Sequence, residues 1–85
     1  MSQFVRRGIG HTTKQLLPDK NSGWLADDES PLTEDEFTRR LTLQGITIDR
    51  AGGALSFDDG KLFFYHAIIT PFGPDGLFED AYLAG

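Results

Sequence analysis

His11 and His66 are the two side chains best suited to move a proton near neutral pH. Acid–base work by His66 needs a carboxylate or hydroxyl within hydrogen-bond reach. Nearby segments offer Ser56, Asp58, Glu79 and Asp80. A tight hairpin turning at Asp59-Gly60 sets Asp58 against Lys61 and Ser56 against Phe63, so neither stands opposite His66. A partner would have to come from the first strand, the last strand or the N-terminal segment. Without one, a mid-strand histidine is ordinarily a hydrogen-bonded structural residue. The two imidazoles are far apart in sequence and neither belongs to an i, i+4 ligand pair, so no metal site is expected. There is no cysteine for nucleophilic or thiolate chemistry. Ser2, Ser22, Ser30 and Ser56 lie outside any nucleophile elbow, and Gly8-Ile9-Gly10 lacks the third glycine and preceding strand of a phosphate loop. No catalytic residue and no cofactor is assigned.

Binding chemistry is better represented. Asp27, Asp28 and Glu29 form an acidic run that no helix dipole explains: by default a solvated loop, and on the sharper reading a docking rim for a basic partner. Trp24, Phe72 and Phe78 are the aromatic anchors such a surface would use, although a Trp beside a Leu also serves to plug the edge of a core. A second chemistry is carried by Arg6, Arg7 and His11, with His66 as a further contact. Arginines suit phosphate recognition, and a dimer would complete a pocket that one short chain cannot enclose.

The elements that position these residues follow from periodicity and punctuation. Thr12 or Thr13 caps a short helix over about 11–17 that Pro18 ends, while Gly8 and Gly10 weaken any upstream extension. Leu32-Thr33-x-x-Glu36-Phe37 joins a capping box to a hydrophobic staple. Acids fill that helix's first turn, and Arg39 and Arg40 lie near its end, as the macrodipole favours; the helix spans about 34–41. Beyond Leu43 the hydrophobic period becomes two. Strands are expected at about 44–50, 54–58, 61–70 and 77–83, with Asp59-Gly60 as a hairpin turn. In the third strand, apolar residues occupy both faces, as in a centrally placed strand. The fold class is α+β: a four-stranded antiparallel meander with one or two short helices packed on one face.

Composition bounds the function. The chain has 85 residues, a net charge of −5 and 39% hydrophobic residues, which suits one domain, residues 1–85, with a modest core. The acidic balance argues against direct nucleic-acid binding. No apolar run is long enough for a membrane span or a signal sequence. Absence of cysteine favours the cytoplasm over secretion.

The stretch Phe57-Asp58-Asp59-Gly60-Lys61-Leu62-Phe63-Phe64-Tyr65-His66-Ala67-Ile68-Ile69 resembles an uncharacterised bacterial domain family of unknown function. Trp24-Leu25, Leu32-Thr33-x-x-Glu36-Phe37, Ile46-x-Ile48 and the ending Ala81-x-Leu83-Ala84-Gly85 are similar to the same family. Tyr65 stands where that family usually has Gly, and Phe64 where it often has Trp. The resemblance implies the fold and a recurring constellation of Asp58, Asp59, Gly60 and His66, and no catalytic role.

These observations point to a small, acidic, non-enzymatic binding protein: an inhibitor, or an immunity or anti-defence protein, acting on a protein partner such as a basic nuclease or defence protein. Self-association into a homodimer is expected, because ten aromatic residues exceed what so small a core encloses. The alternative is a small-molecule or nucleotide-binding module completed by dimerisation.

Overall fold

The computed structural model describes residues 2–25 and 27–84, so Gly85 of the closing patch lies outside the described residues. Helix α1 spans Gln3–Gly23 and α2 spans Glu34–Arg40; strands β1 (Thr42–Asp49), β2 (Gly52–Asp58), β3 (Ala67–Phe72) and β4 (Tyr82–Ala84) follow. The strands form one antiparallel sheet in the order β1-β2-β3-β4, the expected meander.

Helix α1 is much longer than the expected 11–17. Its cap is Ser2, whose hydroxyl accepts from the Val5 amide at 3.1 Å, and it runs through Pro18. Its buried stripe is Val5, Gly8, Thr12, Leu16 and Lys20, a helical spacing built largely from small and polar residues. Thr12 donates to the Gly8 carbonyl at 2.7 Å, so its oxygen receives the Thr70 hydroxyl of β3. Thr13 likewise donates to the Ile9 carbonyl at 2.9 Å and accepts from Thr38 of α2 at 3.0 Å. Hydrogen-bonded threonines thus tie α1 to the sheet and to α2, where a hydrophobic pattern would have used leucines. Gly8 marks the closest approach: a Cβ there would collide with Leu55 of β2 and lie 3.1 Å from Phe78.

Helix α2 forms as its sequence dictates. Thr33 Oγ1 accepts from the Glu36 amide at 3.2 Å, and Glu36 Oε1 accepts from the Thr33 amide at 3.0 Å. Leu32 packs against the core cluster that contains Phe37.

Leu55, Phe57, Ile68, Thr70 and Phe72 face the helices and are buried; Ala54, Ser56, Ala67, Ile69 and Pro71 alternate onto the opposite face. Phe37, Phe57 and Phe63 are fully buried, and each contributes roughly 1.5–3 kcal/mol by leaving water.

Two strands depart from expectation. β3 begins at Ala67, so residues 61–66 are not strand, and Phe57 pairs with Ile68 and Ser56 with Ile69. The alternation of Leu62, Phe64 and His66 against Phe63 and Tyr65 therefore does not describe a sheet. At the C-terminal end, pairing is confined to Tyr82–Ala84 plus an isolated Phe72–Phe78 bridge, in place of a strand over 77–83. Among the described residues, no helix is long and apolar enough to cross a membrane.

Candidate functional site

Between β2 and β3 the chain makes a compact loop over residues 59–66. Gly60 and Lys61 both adopt left-handed backbone, at φ 55° and 68°. Gly60 is needed there twice over, because a Cβ would also strike the Arg40 carbonyl. The buried Asp59 carboxylate then gathers the loop. Oδ1 accepts from the Lys61 amide at 3.0 Å, and Oδ2 accepts from the amides of Phe63 at 2.9 Å and His66 at 3.1 Å. Leu62 and Phe63 are drawn into the core, and the chain must reverse to reach β3. It does so at Phe64 and Tyr65, with φ of 55° and 72°. Left-handed backbone costs a non-glycine residue about 1–2 kcal/mol. Strain of this kind persists only where surrounding contacts impose it, and it gathers at functional sites. Its outcome is exposure of two large side chains, Phe64 at 53% and Tyr65 at 78%.

The loop rests on the ends of both helices. Trp24 packs against Phe63, Phe64 and His66, with ring centroids 5.5–5.6 Å away. Lys20, only 1% exposed, donates to the Trp24 carbonyl and to Glu29 Oε1, at 2.5 and 2.7 Å, with its ammonium 6.0 Å from the Phe64 ring centre. Arg40 Nε and Nη2 donate to the Gly60 carbonyl at 2.9 and 2.6 Å, and its Nη1 lies 3.7 Å from Glu29. Glu29 therefore links Lys20 of α1 to Arg40 of α2, and Arg40 pins the loop. Asp28, Glu29, Lys61, Phe64 and Tyr65 line an open hollow of about 480 Å³.

His66 is half-buried, and its Nδ1 donates to the Phe63 carbonyl at 2.5 Å, so Nε2 carries the lone pair of the neutral ring. Asp59, next to the Asp58 weighed as a partner, reaches the His66 backbone rather than its ring. No carboxylate is hydrogen-bonded to the ring among the described residues, and none of them form a group of three or more metal-ligating side chains.

Asp27 and Asp28 are exposed, Asp28 lining the hollow beside this loop, while Glu29 is engaged in the internal ion pairs. Trp24 is half-buried and closes the core edge beneath the loop. Phe72 is core, 8% exposed, and Phe78 packs on Phe4 with centroids 4.9 Å apart, so neither is a free anchor. The four residues of the alternative ligand site are not brought together. His11 stacks on Phe78 and donates to the Glu79 carbonyl at 2.7 Å, whereas His66 lies against Trp24, some 13 helical residues or about 20 Å further along α1. Arg6 and Arg7, one helical step apart, diverge by about 100°. Sequence reasoning missed Phe64 and Tyr65 as exposed loop residues, and Asp59, Lys20 and Arg40 as their supports. The available signal was Asp59 itself, whose type captures backbone amides two residues on.

A family model described as uncharacterised proteins conserved in bacteria (DUF2262) matches residues 5–83. The chain belongs to this family. No curated protein and no solved structure matches it. The DUF2262 span runs from Val5 in α1 to Leu83 in β4, so the loop, Trp24 and the Lys20–Glu29–Arg40 network all lie within it.

Proposed function

We propose that this DUF2262 chain is a non-enzymatic binding module that docks on a basic surface of another protein through its 59–66 loop. Phe64 and Tyr65 are the anchors, and Asp27 and Asp28 the charged rim. The carrying observation is that a strained backbone holds two aromatic side chains in solvent beside the exposed Asp28. Aromatic anchors surrounded by polar groups supply most of the energy of protein interfaces, and the acidic rim accelerates encounter with a positive partner. An inhibitor or immunity protein that covers a basic nuclease or defence protein fits this chemistry, and the cysteine-free composition fits a cytoplasmic setting. His66 supports the loop rather than a reaction.

Photo-crosslinking from position 61 in the native bacterium tests the reading. The expected result is a partner captured by the natural chain, lost with Phe64→Ser/Tyr65→Ser, and weakened by Asp27→Lys/Asp28→Lys and by added salt. Identical capture by the natural chain and the Ser variant overturns it.

A further inference from the structure

Both helices pack on one side of the sheet. The strand residues of the core cluster all come from that side: Leu55, Phe57, Ile68 and Phe72, with Leu43 and Leu83 packed against them. On the other side, one row crosses the sheet as Gly45, Ser56, Ile69 and Tyr82, and the next as Thr47, Ala54 and Pro71. A solvated face of an antiparallel sheet ordinarily turns polar residues outward. Charged residues make up 25% of this chain, yet neither row holds one, and Ile69, Pro71 and Tyr82 form adjoining apolar surface. Among the described residues, the hydroxyls of Thr47, Ser56 and Tyr82 bond to no other group, so these side chains have no task within the single chain.

The shape of the face selects its occupant. The first row grows from glycine on β1 to tyrosine on β4. A second copy, turned about a two-fold axis along the strands, lays β1 over β4 and β2 over β3. The gradient then reverses: Tyr82 of each copy stands over Gly45 of the other, and Ile69 over Ser56. Tyr82 is 52% exposed, and the place of a Gly45 side chain is free, with nothing within 4 Å of a Cβ there. Stacked sheets lie about 10 Å apart with strands within about 30° of alignment, and no charge of either copy falls within the stacked rows.

Area agrees with that occupant. Four strands about 4.8 Å apart and about six residues long outline a face of about 19 by 20 Å. Two such faces remove about 800 Å² in outline and about 1,000 Å² with their relief, the size at which a specific interface begins. The chain exposes 5397 Å², whereas a folded monomer of 9.4 kDa exposes about 5,000 Å². The excess is about one such face.

We propose that two copies of this chain stack through the open sheet face, with their helices outside. The contact is separate from the protein-docking loop and does not depend on it. Because the axis runs along the strands, both 59–66 loops emerge at the same end of the dimer.

Sedimentation velocity of the full chain from about 1 µM to about 1 mM tests the contact. Expected are a monomer that passes to a dimer, and a dissociation constant raised at least tenfold by Ser56→Glu and by Gly45→Leu. Both side chains point away from the core, so the thermal transition should be retained; should Ser56→Glu fail to fold, Gly45→Leu carries the same test. Mixing Ser56→Glu with Ser56→Lys should restore the dimer, because the two positions lie on strands that flank the axis, within reach of long side chains. Ile46→Lys, on the edge strand but on the helix side, should leave association unchanged. A monomer throughout the range, undiminished association of folded Ser56→Glu or Gly45→Leu, no recovery on mixing, or equal disruption by Ile46→Lys overturns the proposal.

Discussion

The Asp59 carboxylate accepts a hydrogen bond from the backbone amide of His66, seven residues later, at 3.1 Å. The same oxygen holds Phe63, and its twin holds Lys61. One buried side chain thereby replaces the ladder that a continuous hairpin would have provided. Asp59→Ala leaves these amides without their acceptor. An unsatisfied buried donor costs about 1–3 kcal/mol, so a loss of at least about 3 kcal/mol is expected from urea denaturation. A loss under about 1 kcal/mol would show that the loop does not depend on the carboxylate.

Tyr65 offers a separation of stability from binding. Glycine at its φ of 72° removes the left-handed penalty of about 1–2 kcal/mol, partly offset by glycine's greater unfolded-state entropy. Tyr65→Gly should therefore raise stability by about 0.5–1 kcal/mol while weakening partner capture. Denaturation and the crosslinking assay read the two effects. A destabilised variant would mean that Tyr65 makes packing contacts its exposure conceals.

Two glycines two residues apart on α1 should respond oppositely. Gly8→Ala drives a methyl into Leu55 and should cost about 1–3 kcal/mol. Gly10→Ala meets open space and should gain roughly 0.5–1 kcal/mol. Paired thermal melts check both signs; equal shifts would place the close helix–sheet contact elsewhere.

Glu36 carries a pH signature. Hydrogen bonds from the Thr33 backbone and side chain, with Arg39 contributing, hold its carboxyl below the ordinary value of 4.5. Because the folded value is the lower one, its stabilisation is present above about pH 4.5 and disappears as pH falls through the depressed value. Glu36→Gln should flatten the dependence of stability on pH below about 4.5. An unchanged slope would remove the capping box as its source.

The lower half of the chain was legible where local rules and tertiary needs coincide. Thr33, Glu36, Leu32 and Phe37 specify α2 through contacts a few residues apart, and the alternation of Leu55-x-Phe57 with Ile68-x-Thr70 sets the sheet. α1 was hidden because its inner stripe carries Gly8, Thr12 and Lys20 where hydrophobic periodicity looks for large apolar groups, and because the helix tolerates Pro18. The third strand was overextended because Leu62 and Phe63 are as apolar as strand residues. What separates them from the sheet is a carboxylate bonding forward along the chain, and spacing of hydrophobic residues carries no trace of that. For the site, the acidic run is readable, but Phe64 and Tyr65 read as strand-face residues, and the chain reversal at their positive φ is what turns them to water.

Helix α1 is a single rod of 21 residues, about 30 Å long. Ser2 caps one end of it, and Trp24 at the other supports the aromatic loop against Phe63, Phe64 and His66. Arg40 ties the same loop to α2, so a force applied at Phe64 and Tyr65 reaches both helices at once.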